Sequence, residues 1–151
     1  MGLRINNQVY RNTELDKFIT FFYGELDTAV HTLTYCNAGH NFPLLIRKSG
    51  EVRELSEGGL ILGMIPGVVY ETVSVSIIPH DCIVLFTDGI TEAMDSTQEE
   101  FGENRLKDYS QKHLDSPATQ LIDGIIEAVK NFSATEIQAD DMTMIVIKRV
   151  G

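Results

Sequence analysis

Apolar residues follow two different spacings along the chain, and the spacing changes near residue 93. Within residues 70–78, valine and isoleucine alternate with threonine and serine, which is the period of a half-buried strand. Residues 82–87 form one continuous apolar run, as in a strand that is covered on both faces. Shorter runs predict five more strands, at residues 18–26, 32–36, 42–47, 51–55 and 142–147.

Beyond residue 93 the pattern predicts helices. Residues 99–113 are polar and compatible with a helix, and Ser116-Pro117 is typical of a helix start, with serine as the N-cap and proline as the first helical residue. Apolar side chains then recur at helical spacing and predict one core-facing stripe: Ala118, Leu121, Ile122, Ile125, Ile126, Val129 and Phe132. Residues 3–10 have the character of a helix tail, and 133–139 of a loop. This order predicts an α+β fold, with helices packed on a sheet sandwich.

The composition narrows the class of protein without naming a function. A length of 151 residues favours one domain, and 43% hydrophobic residues are enough for a core. No apolar run approaches the roughly 18 residues that span a bilayer, and no secretory signal opens the sequence. Cys36 and Cys82 form no CxxC pair, so we expect buried, reduced thiols in a cytoplasmic protein.

The formal net charge of −10 makes nucleic acid an improbable partner, because phosphate backbones bind basic surfaces. The same charge argues against an anionic membrane surface. Two explanations of the acidity remain open at this point. One is solubility, and the other is that some carboxylates are ligands for cations.

Two pairs of residues at predicted strand ends carry the candidate chemistry. Asp88-Gly89 follows the buried strand 82–87, and Asp140-Asp141 precedes the last strand. Each pair alone is read more simply as a turn or a solvated loop. Together, two strand-terminal aspartates can converge on one hard divalent cation, and Mg²⁺ and Mn²⁺ prefer such oxygen ligands in octahedral geometry. A water on that cation would be the natural nucleophile for hydrolysis.

Three stretches in order resemble the SpoIIE-like branch of the protein phosphatase 2C (PPM) family. They are 37–41 (Asn-Ala-Gly-His-Asn) with Pro43, 86–93 (Phe-Thr-Asp-Gly-Ile-Thr-Glu-Ala) and 140–143 (Asp-Asp-Met-Thr). The intervening Glu-Phe-Gly at 100–102 also fits, and the resemblance extends from about residue 9 to residue 147. It implies a β-sandwich flanked by helices. It further implies a metal-dependent hydrolase that dephosphorylates serine or threonine of a regulatory protein, such as an anti-sigma-factor antagonist.

The resemblance also assigns roles to particular residues. Two Mn²⁺ or Mg²⁺ ions would activate a water, with Asp88 and Asp140 as metal ligands. Behind the ligands, three residues would support the site: Gly89, Asp141 and Thr143. The turn formed by Asn37, Gly39, His40 and Asn41 is interpreted as structural, and a contact of His40 with phosphate or metal is the alternative.

One departure from the family pattern shapes the remaining expectations. A complete domain opens with an acidic pair and a GD-x-x-G-H-G motif that bridge both metals, and neither precedes Asn6. We therefore expect residues 1–151 to be the C-terminal portion of the domain, with an incomplete second metal site and little activity alone. The alternative is a non-catalytic regulatory or dimerisation module. In either case the absent N-terminal strands would leave sheet edges unpaired, which favours a homodimer.

Overall fold

The computed structural model describes residues 2–13, 17–133 and 141–151, in which one helix precedes seven strands, and three helices and a last strand follow. In chain order they are α1 (Gly2–Asn12), β1 (Phe21–Asp27), β2 (Thr32–Ala38), β3 (Leu44–Ile46), β4 (Val52–Glu54), β5 (Gly58–Gly59), β6 (Val73–Ser76), β7 (Cys82–Phe86), α2 (Asp88–Thr91), α3 (Gly102–Lys112), α4 (Ala118–Phe132) and β8 (Met144–Lys148). The predicted α+β class is confirmed. The chain divides into two compact units, one drawn from Met1–Phe42 and Leu55–Ile78 and the other from Pro43–Glu54 and Pro79–Gly151.

The first unit contains a four-stranded sheet built around β2. Strand β1 pairs antiparallel with one side of β2, whereas β6 and the short β5 pair with the other side. Helix α1 joins this unit through Asn6, whose buried side chain accepts a hydrogen bond from the amide of Gly63 at 2.9 Å and donates one to the carbonyl of Ile65 at 2.8 Å. A buried side-chain amide whose oxygen and nitrogen both have hydrogen-bond partners is favourable. Asn6 therefore fixes α1 to the loop that contains Gly63 and Ile65.

The second unit contains an antiparallel sheet in the order β4-β3-β7-β8. Its core combines the inner residues of β3 and β7 with one face of α4, which contributes Leu121, Ile125 and Val129. Phe86 at the end of β7 lies opposite Met144 at the start of β8. This register places the residues that follow β7 beside the residues that precede β8, which is where the candidate site lies.

The predicted patterns in β6 and α4 are confirmed by burial. In β6 the serines are exposed while Val75 is buried, and the most buried residues of α4 are spaced four apart. The predicted start of α4 was wrong by one residue. Pro117 has ψ of 150°, which is extended backbone, so Pro117 is the N-cap and Ser116 lies outside the helix.

Two short elements had no counterpart in the prediction, namely β5 and α2. Strand β5 consists of two glycines, so no side-chain pattern in the sequence predicts it. The last strand begins at Met144 rather than Met142. The main chain of Asp141 and Thr143, just before it, is hydrogen-bonded to the side chain of Thr87, just after β7. The predicted loop at 133–139 lies outside the described residues except for Ser133.

Both cysteines are free thiols, in agreement with the expectation of reduced cysteines. Burial raises the pKa of the Cys82 thiol to about 11, against a smaller opposing effect of Lys148. Cys36 is only half-buried, which corrects the expectation that both are buried, although desolvation still raises its pKa. Within the part of the chain that is described, no helix is both long and apolar enough to cross a bilayer.

Candidate metal centre

Asp88 is the first residue of α2 and follows the end of β7 by two residues. Its side chain is exposed, and its Oδ1 atom accepts a hydrogen bond from the amide of Gly89 at 3.0 Å. Among the described residues, no donor contacts its Oδ2 atom. The main chain at Asp88 is held by α2, since its carbonyl accepts from the amide of Glu92 at 2.8 Å. The main chain of Asp88 is therefore held by α2. Its Oδ1 atom is occupied by the Gly89 amide, whereas its Oδ2 atom is not part of that hydrogen bond.

The segment 141–143 lies beside Asp88 because three hydrogen bonds join it to Thr87. The Thr87 amide donates to the carbonyl of Thr143 at 3.1 Å, and the Thr143 amide donates to Oγ1 of Thr87 at 3.0 Å. Oγ1 of Thr87 in turn donates to the carbonyl of Asp141 at 3.1 Å. Thr87 thus links the two segments that the sequence assigned to one site.

The predicted site residues differ in how far the structure describes them. Asp88, Gly89, Asp141 and Thr143 belong to the same unit and lie on the two segments joined by Thr87. The side chains of Asp141 and Thr143 are exposed, and both residues contact Thr87 through their main chains. Asp140 lies outside the described residues, so its distance from Asp88 stays a prediction.

The described residues fit one side of a site for Mg²⁺ or Mn²⁺. Asp88 provides the anionic oxygen that these cations prefer, and its main-chain carbonyl is hydrogen-bonded within α2. The described ranges hold no group of three or more histidine, cysteine or acidic side chains that would close a cage around a metal ion.

The turn predicted from residues 37–41 belongs to the first unit and is organised by Asn37. The side chain of Asn37 is buried, and its Oδ1 atom accepts a hydrogen bond from the amide of His40 at 2.8 Å. Its Nδ2 atom donates to the carbonyls of His40 at 3.0 Å and Leu55 at 3.3 Å. Gly39 occupies the left-handed region with φ of +73°, which favours glycine. The amide oxygen and both amide hydrogens of Asn37 therefore have partners, two of them within the turn and one at Leu55.

His40 and Asn41 are half-buried in this turn. The Nδ1 atom of His40 lies 3.3 Å from the hydroxyl of Thr20. The contacts of Asn37 and His40 give the turn a hydrogen-bond network of its own, and the purely structural role of these residues stays a prediction.

Sequence reasoning missed Thr87 as a site residue and Gly58 as a neighbour of Asn37. Thr87 stands directly before Asp88, so its position in the motif was a signal that could have been used. Gly58 has no such signal, because its role comes from a parallel pairing with Asn37 across the sheet. Contacts of that kind depend on tertiary structure and not on local sequence.

Comparison with known protein families identifies the family of this chain. Residues 2–150 match the family model described as Stage II sporulation protein E (SpoIIE). The chain belongs to the SpoIIE family. The match confirms the resemblance drawn from the three sequence stretches, and it covers nearly the whole chain.

Two relatives are longer than this SpoIIE-family chain and match it over most of its length. It is 32% identical over 136 residues to Protein IcfG of Synechocystis sp., covering 90% of this chain and 21% of that protein. It is 30% identical over 147 residues to phosphoserine phosphatase RsbU of Bacillus subtilis, covering 96% of this chain and 43% of RsbU. The chain therefore spans less than half the length of either relative.

Solved structures share the fold at low sequence identity. The SiaA-PP2C domain of Pseudomonas aeruginosa superposes with a TM-score of 0.81 at 19% identity, covering 94% of this chain and 57% of that one. The phosphatase domain of SpoIIE from Bacillus subtilis, presoaked with Mn, gives 0.72 at 17% identity, covering 98% and 65%. The mixed α and β fold of this SpoIIE-family chain is thus the phosphatase 2C-type fold.

Proposed function

We propose that this chain is the metal-binding, C-terminal portion of a metal-dependent protein phosphatase that acts on phosphoserine or phosphothreonine. The observation that carries the proposal is the exposed carboxylate of Asp88, which directly follows the residue, Thr87, that is hydrogen-bonded to the segment 141–143. Two relatives named phosphoserine phosphatase, RsbU and RsbP of Bacillus subtilis, support the reaction class.

In this proposal Asp88 and Asp140 bind Mn²⁺ or Mg²⁺, and Gly89, Asp141 and Thr143 support them. When bound, the ion supplies Lewis-acid stabilisation of the phosphate charge and a hydrolytic water. The amide of Gly89 orients the Asp88 carboxylate by donating to Oδ1, which would leave Oδ2 available to hold the cation. The same hydrogen bond disperses negative charge on Oδ1.

The substrate in this proposal is a phosphorylated regulatory protein of the cytoplasm, such as an anti-sigma-factor antagonist. A net charge of −10 disfavours nucleic acid and anionic lipid as competing partners. The relatives named phosphoserine phosphatase favour a phosphoserine side chain over a small phosphate ester. Recognition of the protein substrate would then involve surfaces outside the metal centre.

Low activity is expected from the 151-residue chain by itself. An ion held by two carboxylates stays mostly hydrated, and the clamp that a second metal provides is missing. Losing several kcal/mol of charge stabilisation lowers the rate by roughly 100-fold or more. The test is Mn²⁺-dependent hydrolysis of a phosphoserine protein, compared with a complete phosphatase of the family in the same assay.

The outcomes of this assay separate the parts of the proposal. Slow hydrolysis that EDTA abolishes supports a metal-dependent phosphatase with an incomplete site. Hydrolysis that is unaffected by EDTA contradicts metal dependence. Turnover that matches the complete phosphatase and disappears in Asp88→Asn would show that this chain holds a whole active site.

A second candidate, a dimerisation module, is favoured by the sheet edges. Among the described residues, β1 and β8 each have a strand partner on one side only, and most of β1 is exposed. Open edges pair readily with other chains, and a two-fold dimer is the simplest closed product. We expect light scattering to give about twice the 16.9 kDa chain mass at micromolar concentration. A clean 16.9 kDa species would contradict this expectation.

A further inference from the structure

The end of strand β7 departs from the regular antiparallel ladder at Thr87. Continuing the register of Phe86 opposite Met144, Thr87 lies opposite Thr143, and a regular pair at this position exchanges two main-chain hydrogen bonds. Only one of them has its usual form, from the Thr87 amide to the Thr143 carbonyl. The Thr143 amide donates instead to the Thr87 hydroxyl, at 3.0 Å.

Because the Thr143 amide bonds to the Thr87 hydroxyl, the Thr87 carbonyl is available to begin the helix that contains Asp88. The carbonyl of Thr87 accepts from the amide of Ile90 at 3.0 Å, which forms the turn that opens α2. Thr87 is the N-cap residue of α2, yet its hydroxyl makes no capping bond to that helix and points across to the neighbouring segment. One residue therefore ends the strand, begins the helix and keeps the facing segment attached.

We propose that Thr87 is a positioning residue for the metal centre, acting through Asp88 and the segment that begins at Asp141. This inference rests on the proposed function, since it concerns the affinity of that site for a divalent cation. The hydroxyl fixes the two segments because it accepts from the Thr143 amide and donates to the Asp141 carbonyl at once. Valine has the same shape and provides neither interaction.

The first measurement is Mn²⁺ affinity of the 151-residue chain, from the EPR signal of the free ion. We expect Thr87→Val to weaken affinity by about tenfold, as is common for groups that orient metal ligands. Thr87→Ser, which retains the hydroxyl, should stay within about twofold of the original chain. Thr34→Val is the matched control, since it removes a strand hydroxyl that bonds to Ser74 in the other unit.

The second measurement needs no metal. Amide hydrogen exchange of Thr143, followed by NMR, should accelerate in Thr87→Val because its acceptor is lost. Ile147, which lies opposite Ile83 in a hydrogen-bonded pair of the same ladder, should keep its protection. If the valine side chain prevents folding, Thr87→Ala compared with Thr87→Ser repeats the test with smaller side chains.

The results distinguish this inference from the proposed function. Weaker Mn²⁺ binding and faster Thr143 exchange in Thr87→Val, both restored in Thr87→Ser, support the positioning role. Unchanged Mn²⁺ affinity in Thr87→Val, with affinity lost in Asp88→Asn, overturns the positioning role and leaves the metal site intact. Unchanged affinity in Asp88→Asn overturns the metal site, and the positioning role falls with it.

Discussion

Asp88→Asn is expected to remove saturable Mn²⁺ binding, with a loss of affinity of roughly 100-fold or more. Groups that only support metal ligands cost about 10- to 100-fold when replaced, and a ligand itself should cost more. Asparagine keeps the size of the side chain and can still accept from the Gly89 amide, so the fold should be preserved. What is lost is the negative charge that a hard cation requires. Calorimetric titration with Mn²⁺ measures the change.

A matched control separates ligation from net charge. Asp123→Asn makes the same chemical change at an exposed position of α4, within the same unit. Asp123 belongs to neither of the two segments at the site, so this variant should bind Mn²⁺ like the original chain if Asp88 is a ligand. Equal losses in both variants would indicate that Mn²⁺ responds to the overall acidity and that Asp88 is not a ligand.

The parts of the fold that the sequence predicted well are those in which one side-chain pattern determines burial. The alternation in β6 and the spacing of Leu121, Ile125 and Val129 in α4 each bury one face, whatever the neighbouring element is. Burial of an apolar face is a strong driving force that local sequence already displays. Such elements were found with errors of only a few residues at their ends.

The parts that were missed depend on contacts between distant residues. Strand β5 exists because Gly58 pairs with Asn37, and α2 begins where the Thr87 carbonyl leaves the ladder and accepts from Ile90. Neither glycine-only strands nor single helical turns have a side-chain period of their own. The candidate site shows the same division, since Asp88 was found from its motif whereas the role of Thr87 needed the facing segment.

Gly58→Ala is expected to destabilise the chain by roughly 3 kcal/mol or more, as for severe overpacking. A Cβ atom at this position would lie 2.5 Å from the amide nitrogen of Asn37 and 2.6 Å from its carbonyl carbon, and closer still to the carbonyl oxygen. These are main-chain atoms, so no rotamer change relieves the overlap. Urea unfolding followed by circular dichroism measures the loss.

Gly50→Ala is the control that separates steric overlap from backbone strain. Gly50 has φ of +92° in the turn between β3 and β4, and a Cβ atom there would meet nothing within 4 Å. Alanine should cost only about 1 kcal/mol at Gly50, from strain alone. In Gly58→Ala the sheet must instead move away from Asn37, which also bonds to Leu55 and His40. We therefore expect the His40 amide to exchange faster in Gly58→Ala than in Gly50→Ala. Equal stability of the two variants would show that the sheet accommodates a side chain at Gly58.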